Sequence, residues 1–332
     1  MIRIEVPGKL MIAGEYAVLG PTGESLAMTV HPGLEVCAER AEDWRLSRAD
    51  GGASWRTGEP VPADLTFAHA ALMEARKGRA LSPHHIETRV APQVGSGIRK
   101  PGVGGSASAT VGVVAAVLAA AGEPLRAEEI LSIGVRTHRQ VQSGFGSGYD
   151  VATISTGGLV CWRPARLAGG AGEREALRIP WPQGLQVLAG YTGRSASTTG
   201  LLTRLEDQVQ SDRAAFLRGL TRLGAPVGQL IDAFVEADLE QIFAQVKACH
   251  EALCSWSDQV ELPVVTPEVR AMIALAEESG AVAKVSGAGG GDSVLAFSDD
   301  ASVLTRVRTG WLEAGFEPLP IQRCEWGVRE VS

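Results

Sequence analysis

The feature that most constrains the fold is a glycine- and serine-rich stretch that runs directly into an apolar segment. Residues 100–110 read KPGVGGSASAT, and VGVVAAVLAAAGEP follows without a break. Apolar residues at helical spacing, rich in Ala, predict a helix over Ser108 to Ala121. Glycines at the start of a helix expose main-chain N–H groups at the positive end of the helix dipole, which favours phosphate oxygens. An Ala-rich helix that packs closely would use the same residues, so this stretch by itself leaves both interpretations open.

The lysine position excludes a Walker-type phosphate loop. That motif ends in Gly-Lys-Ser/Thr, whereas Lys100 precedes the glycines here. The hydroxyls of Ser106 and Ser108 are candidate ligands for phosphate or Mg²⁺.

A second glycine-rich loop lies near the carboxyl end, in KVSGAGGGDSVLAF at 284–297. Four glycines in five positions, at 287 and 289–291, let the backbone approach a ligand closely or adopt positive φ at several successive residues. A plain hairpin between the two flanking apolar runs needs only one or two glycines. Ser286, Asp292 and Ser293 supply polar groups under either interpretation.

Two further stretches carry charged residues next to glycine. In QSGFGSGYDVATISTGG at 142–158, Asp150 follows a glycine-rich turn, where an aspartate can serve as a general base or orienting group. It is equally suited to cap a helix. In VPGKLMIAGEYAVLG, Lys9 follows Pro-Gly, a position more typical of a solvated surface lysine.

Composition sets broad limits on the function. A chain of 332 residues corresponds to about two domains, and 45% hydrophobic with 21% charged residues is ordinary for a globular protein. The net charge of −7 argues against a general nucleic-acid binder. Five scattered cysteines without a CxxC pair predict reduced thiols in a cytoplasmic protein. The longest apolar run, Val111 to Ala121, is too short for a membrane span, and the N-terminus lacks the apolar core of a signal peptide.

The pattern of elements predicts a mixed α+β architecture without regular βαβ alternation. The first 18 residues predict a strand, a turn at Pro7-Gly8 and a second strand. Further strands are expected in SLAMTVHPGLEVCAER, HHIETRVAP, GGLVCWRP, LQVLAGYTG and VLAFSDD. Helices are expected over Ala63 to Lys77, Ser108 to Ala121, Ala127 to Gln142, Ser197 to Arg222, Val227 to Trp256 and Thr266 to Ser279. The GGAGE stretch at 169–173 is typical of a hairpin tip or a domain junction.

Taken together and in this order, the four stretches resemble the GHMP kinase superfamily of galactokinases, homoserine kinases, mevalonate kinases and phosphomevalonate kinases. PGKLMIAGEYAVL is similar to its first motif, PGVGGSASA to its phosphate loop and KVSGAGGGDS to its third motif. Tyr16, GSGYDVATISTGG and YTGRSASTT at 191–199 resemble the phosphomevalonate kinases in particular. Mevalonate kinases usually have a His at the position of Tyr16 and a Mg²⁺-binding Glu in the segment before Asp150, but GVRTHRQVQSG contains no carboxylate.

The resemblance implies a two-lobed α+β GHMP kinase fold, with the active site in the cleft between an N-terminal domain (1–180) and a C-terminal domain (181–332). It implies ATP-dependent phosphorylation of 5-phosphomevalonate to 5-diphosphomevalonate, with Mg²⁺, in the mevalonate route to isoprenoids. The expected partners are small molecules, with neither nucleic acid nor membrane, and the oligomeric state is left open between monomer and homodimer. The alternatives are a mevalonate or homoserine kinase, the related diphosphomevalonate decarboxylase, or a catalytically silent ligand-binding relative.

The resemblance also assigns roles to residues. Lys9 would neutralise charge, and Asp150 would orient Lys9 and the acceptor, because an acceptor phosphate with its second pKa about 6 scarcely needs a base. The ATP phosphates would be bound by Lys100, Gly102, Gly104, Gly105, Ser106, Ala107 and Ser108, with Ser106 as the Mg²⁺ ligand. The acceptor would be bound by Glu15, Tyr16, Ser147, Gly148, Tyr149, Arg194, Ser197, Thr198, Ser286, Gly287, Ala288, Gly289 and Gly290.

Two positions depart from the family pattern. The phosphate loop of the family usually reads Gly-Leu-Gly-Ser-Ser, and Gly105 stands here where the first serine is expected. The third motif has Ser293 where the family usually has Cys. The first change removes a hydroxyl from the loop but keeps its main-chain N–H groups.

Overall fold

Strands dominate the first third of the chain and helices the remainder. The computed structural model describes residues 1–90, 103–142, 146–164, 174–194, 205, 212–291 and 293–331. The helices in these ranges are α1 (Thr66–Ala75), α2 (Gly105–Ala120), α3 (Ala127–Val141), α4 (Tyr149–Thr156), α5 (Arg213–Glu236), α6 (Leu239–Gln259), α7 (Pro267–Glu278) and α8 (Ala301–Glu313). Short 3₁₀ turns cover Ala17–Leu19 and Ala63–Leu65.

The strands form two sheets that are almost entirely antiparallel. The strands are β1 (Ile2–Ala13), β2 (Ser25–Arg40), β3 (Arg45–Arg48), β4 (Ser54–Arg56), β5 (His84–Val90), β6 (Leu159–Pro164), β7 (Arg174–Ile179), β8 (Gln186–Tyr191), β9 (Val282–Ser286), β10 (Ser293–Ser298), β11 (Glu317–Pro318), β12 (Gln322–Arg323) and β13 (Arg329–Glu330). The large sheet runs β13-β1-β2-β5-β3-β4, with β6 and β12 also paired to β2 and β7 paired to β6. The small sheet runs β11-β8-β10-β9. Since only β3 and β5 pair in parallel among the described strands, the expected α+β class is confirmed.

The turn predicted at Pro7-Gly8 is wrong, because β1 continues through it as a single strand. The register moves from Val6 opposite Leu34 to Gly8 opposite Val30, so Pro7 lies opposite a bulge formed by residues 31–33 of β2. A bulge tolerates proline, which has no N–H to donate to the ladder. The consequence is that Lys9 lies within the sheet, where it is opposite Thr29, instead of on a surface turn.

Beyond its first turn, helix α2 is apolar on every side because neighbouring elements cover it on every side. It begins at Gly105, three residues before the predicted start, and packs between strands β1 and β2 and helices α1, α3 and α4. At Gly112 a methyl group would lie 2.6 Å from Val36 Cγ2 and 2.9 Å from Val6 Cγ2. The glycine thus allows the helix to lie directly on the sheet, which holds its first turn in a defined place.

The predicted helix over Val227 to Trp256 is the second part of α5 followed by α6, because α5 runs without a break from Arg213 through Pro226 to Glu236. They separate at Ala237, which has a φ of 55°, and Asp238 caps α6 by accepting a hydrogen bond from the Gln241 N–H at 3.1 Å. Thr266 caps α7 as predicted, accepting from the Val269 N–H at 3.3 Å. Most of the predicted helix over Ser197 to Arg222 and the GGAGE stretch lie outside the described residues.

The two sheets share a hydrophobic core. Leu10, Ile12 and Leu26 of the large sheet belong to the same buried cluster as Phe234 of α5 and Leu295 of the small sheet. The large sheet uses residues up to Ile179 and the small sheet residues from Gln186, yet β12 and β13 return to the large sheet. A division of the chain into two domains near residue 180 stays a proposal. In this division β12 and β13, from the carboxyl-terminal end, belong to the sheet of the first lobe.

Candidate active site

Lys9 lies against the start of helix α2. Its N–H donates to the carbonyl of Val103 at 2.9 Å, and its side chain is only 7% exposed. A methyl group at Gly104 would lie 2.9 Å from Lys9 Cε, so the aliphatic stem of the lysine passes directly over this glycine. The structure therefore brings Lys9 to the glycine-serine loop that is about 95 residues away in sequence.

The first turn of α2 is open at its tip. Gly105 and Ser106 are exposed, and the first helical hydrogen bond runs from the Ser108 N–H to the Gly104 carbonyl. The N–H groups of Gly105, Ser106 and Ala107 precede this ladder, which is the arrangement that binds anions. Of the two serines, Ser106 is at the exposed tip, whereas Ser108 is buried and donates to the Pro7 carbonyl at 3.2 Å. Lys100 and Gly102 lie outside the described residues.

Asp150 belongs to the first turn of helix α4. The helix follows Gly148, whose φ is 80°, and the Asp150 Oδ1 accepts from the Val151 N–H at 2.9 Å. The turn is held by Trp162, which donates from Nε1 to the Ser147 carbonyl at 2.9 Å. The Asp150 side chain keeps 18% of its surface exposed, enough for one edge of the carboxylate to meet a ligand.

Tyr149 joins the Asp150 turn to Lys9. The Lys9 Nζ lies 5.4 Å from the centre of the Tyr149 ring, a cation–π distance. Burial raises the pKa of the Tyr149 phenol, and the nearby Lys9 ammonium opposes that shift. Lys9, the glycine-serine loop and the Asp150 turn, which are far apart in the sequence, thus converge on one site.

His138 is a residue of this site that the sequence analysis missed. It is 2% exposed on α3, and its Nε2 faces the Asp150 Oδ2 at 3.8 Å. Its ring stacks on Phe67 with centroids 4.7 Å apart. The signal in the sequence is weak, a histidine on a helix 12 residues before Asp150.

Glu15, Tyr16 and Ser286 are occupied by contacts within the protein. Glu15 is 4% exposed and accepts at 2.5 Å from the Nζ of Lys284, which is fully buried. The Tyr16 hydroxyl donates to the Ala288 carbonyl at 2.6 Å, and the Ser286 hydroxyl donates to the Met11 carbonyl at 2.8 Å. These bonds tie the first motif to the third, so a direct substrate contact for these residues stays a prediction. Lys284 was missed, because one lysine inside an apolar run does not identify its partner.

The third motif is the loop of the β9–β10 hairpin, closed by Ser286 opposite Ser293. All four of its glycines have positive φ, between 72° and 123°. At Gly289 a methyl group would lie 2.5 Å from the Val264 carbonyl oxygen, and the next N–H, of Gly290, donates to that oxygen at 2.8 Å. Glycine is therefore needed here for the conformation and for close packing against the chain itself. Asp292 lies outside the described residues.

Arg194 lies beside this hairpin loop. Its Cβ is 3.2 Å from where a methyl group would stand at Gly291, and its guanidinium reaches Glu268 at 3.2 Å. The side chain is 72% exposed, so the ion pair with Glu268 is weak and easily exchanged for another anion. Ser197 and Thr198 lie outside the described residues.

Metal-binding side chains are not clustered in the described parts of the chain: no group of three His, Cys, Asp or Glu residues is found there. None of the described helices has both the length and the apolar character to cross a bilayer.

Comparison with known proteins identifies the family. The model of the GHMP kinases N terminal domain matches residues 67–158, and that of the GHMP kinases C terminal matches residues 230–316. A phosphomevalonate kinase of Streptomyces sp. (strain CL190) is 30% identical, covering 97% of each chain, and a mevalonate kinase of Saccharolobus solfataricus is 27% identical, covering 92% of this chain and 93% of its own. The fold is that of Streptococcus pneumoniae phosphomevalonate kinase in complex with phosphomevalonate and AMPPNP, with a TM-score of 0.83, 24% identity, and coverage of 97% of this chain and 100% of that one. The chain belongs to the GHMP kinase family.

Proposed function

We propose that this protein transfers the γ-phosphoryl group of ATP to the phosphate of 5-phosphomevalonate, giving 5-diphosphomevalonate and ADP. The observation that carries the proposal is the convergence of Lys9, the first turn of α2 and the Asp150 turn. The choice of acceptor is supported by the phosphomevalonate kinase that is 30% identical over nearly the whole chain.

Phosphoryl transfer depends on positioning and on charge neutralisation more than on covalent catalysis. The N–H groups of Gly105, Ser106 and Ala107 suit the phosphate oxygens of ATP. Lys9, held between Gly104 and Tyr149, suits the charge shared by donor and acceptor. The packing along its stem limits the positions that the ammonium group can take, and this preorganisation is what the reaction requires.

Mg²⁺ is part of the proposal, with Ser106 as its protein ligand. Mg²⁺ in kinases is commonly held by one or two side chains together with phosphate oxygens, not by a full protein cage. The exposed hydroxyl of Ser106, at the tip of α2, fits such a site. When bound, Mg²⁺ would neutralise part of the negative charge of the phosphates.

We assign Asp150 an orienting role instead of proton abstraction. The acceptor is a phosphate that is largely ionised near pH 7, because its second pKa is about 6. The carboxylate, fixed at one oxygen by the Val151 N–H, is suited to orient Lys9 and to bind a hydroxyl group of the acceptor.

We assign the acceptor phosphate to Arg194, Ser197 and Thr198. The rest of the substrate is assigned to the main chain of Ser147, Gly148 and Gly287–Gly290. Arg194 is suited to this role because its exposed pair with Glu268 costs little to break.

We expect small-molecule partners only. The five cysteines, none of which forms a disulfide, support a reducing compartment such as the cytoplasm.

A coupled ADP-release assay tests the function. Mevalonate, 5-phosphomevalonate, homoserine and 5-diphosphomevalonate are offered separately with ATP and Mg²⁺, and turnover is expected with 5-phosphomevalonate. Turnover with mevalonate instead would make the protein a mevalonate kinase, the activity of the relative that is 27% identical. ADP release with none of the four would identify a silent ligand-binding relative.

A further inference from the structure

Within the described part of the chain, His138 is a buried histidine whose polar atoms stand out. Neither of its ring nitrogens has a hydrogen-bond partner within the described residues, although the side chain is only 2% exposed. A buried polar group without a partner loses its hydration without compensation, which is unfavourable. Such a group in a folded protein calls for a physical explanation.

The position of the ring points to Asp150 as the missing partner. The Nε2 atom lies 3.8 Å from the Asp150 Oδ2, beyond hydrogen-bond distance but within the range that a rotation of the carboxyl group closes. The Asp150 Oδ1 already accepts from the Val151 N–H, whereas Oδ2 has no other hydrogen bond in the described residues. The imidazole packs against the Phe67 ring, with the two ring planes 35° apart, and this contact restrains it, so the side chain that has to move is the aspartate.

We propose that His138 is a positioning residue, whose Nε2–H donates to the Asp150 Oδ2 in the working enzyme. This bond and the one from Val151 would fix both carboxylate oxygens, and with them the direction in which Asp150 meets Lys9 and the acceptor. The identity of the acceptor rests on the proposed function, but the contact between His138 and Asp150 does not.

The kinetic test uses His138→Leu, which removes the donor, and His138→Gln, which restores an N–H near the Nε2 position. His84→Leu is the matched control, because His84 is also buried and stacked on an aromatic ring but lies away from the site. We expect His138→Leu to lower kcat roughly 10–100-fold with the KM for ATP unchanged, as suits the loss of a hydrogen bond to a charged group. His138→Gln should recover most of that loss, and His84→Leu should keep the wild-type kcat.

A double-mutant cycle decides whether His138 acts through Asp150. In an Asp150→Ala background the further change His138→Leu should alter kcat less than about twofold, since alanine offers no side-chain acceptor to the His138 Nε2–H. Losses that multiply would overturn the proposal, as would a His138→Leu enzyme as active as His84→Leu. The series is run with whichever acceptor the wild-type enzyme phosphorylates.

A spectroscopic readout separates this inference from the proposed function. The chain has six histidines, so selective ¹⁵N labelling gives few ring signals, and His138→Leu assigns those of His138. We expect the Nε2 of His138 to carry the proton and its signals to move in Asp150→Ala. An unprotonated Nε2, or signals unmoved by Asp150→Ala, would overturn the proposal even if the enzyme phosphorylates 5-phosphomevalonate.

Discussion

At the scale of single residues, the molecule depends on a few buried polar groups with specific partners. Lys284 and Glu15 are the clearest example, since both are nearly or fully buried and bonded to one another. Burial raises the pKa of the Glu15 carboxyl, and the Lys284 ammonium opposes this shift. The charged forms are compatible with the interior only while the pair is intact.

Removing one member of this pair should therefore be costly. We expect Lys284→Met to lower the free energy of unfolding by about 3–5 kcal/mol, because the Glu15 carboxylate is left buried without a cation. The measurement is urea denaturation, with the exposed Lys247→Met on α6 as control. A loss below about 1 kcal/mol would contradict it, and Glu15→Leu added to Lys284→Met should recover part of the stability.

His250 gives a prediction for pH. Burial lowers its pKa from 6.5 to about 4. Between these pH values the imidazole stays neutral in the folded protein, whereas it binds a proton in the unfolded chain. Acidification from pH 6.5 to 4 therefore favours unfolding, by roughly 3 kcal/mol at its full extent. In His250→Leu this part of the acid sensitivity should disappear. Parallel stability curves for the two proteins between pH 7 and 4 would contradict the prediction.

At the scale of elements, the junction between β1 and α2 sets the geometry of the site. Lys9 lies within strand β1, opposite Thr29 of β2. Its N–H donates to the Val103 carbonyl, which places the first turn of α2 directly beside Lys9. Gly104, with a φ of 86°, is the residue at which the two elements meet.

Gly104→Ala should damage activity more than stability. The added methyl group lies 2.9 Å from Lys9 Cε and must displace the lysine stem. Gly122→Ala is the matched control, because Gly122 also has positive φ, 73°, but has no atom within 4 Å of the added methyl group. Both variants should lose about 1 kcal/mol to backbone strain, and only Gly104→Ala should lower kcat, by roughly tenfold or more. Equal activities would argue that the Lys9 position is not critical.

Gly105 offers a gain of function at the same element. A methyl group there meets no atom within 4 Å, so a larger side chain fits. We expect Gly105→Ser to lower the KM for ATP by roughly tenfold or more, because the added hydroxyl donates a hydrogen bond to a charged phosphate group. Gly105→Ala separates this effect from helix propensity, which both variants improve. If the alanine variant has the same KM as the serine variant, the hydroxyl contributes nothing.

At the scale of the whole molecule, the shared core makes the two lobes depend on one another. Phe234 and Leu295 from the second lobe complete the cluster that begins with Leu10 and Leu26 of the first. Strands β12 and β13 add a second link, because they carry the carboxyl end back to β2 and β1.

This arrangement predicts a single unfolding transition. Neither lobe can bury its share of the cluster around Leu10, Phe234 and Leu295 without the other, so calorimetry should show one cooperative endotherm for the full chain. Two resolved transitions would contradict the prediction and would show that each lobe has a sufficient core of its own.

Much of the fold and of the candidate site follows from local patterns in the sequence. The glycine-serine stretch, the Ala-rich apolar run of α2 and the cap at Thr266 depend on neighbours a few residues apart, so they can be read directly. The order of the motifs was sufficient to indicate the GHMP kinases, which the family models confirm. The sequence by itself thus determined the local motifs, the starts of individual helices and the family.

The tertiary structure decided which of these local features meet. Pro7-Gly8 lies inside β1, opposite the extra residues of β2, and is not a turn because β2 continues beside it. Lys284 and Glu15 pair across 269 residues. His138 comes to Asp150 because α3 and α4 pack together, which no spacing in the sequence reveals. The physical reason is that burial and pairing energies depend on partners brought together by the whole fold, whereas periodicity reports only on near neighbours along the chain.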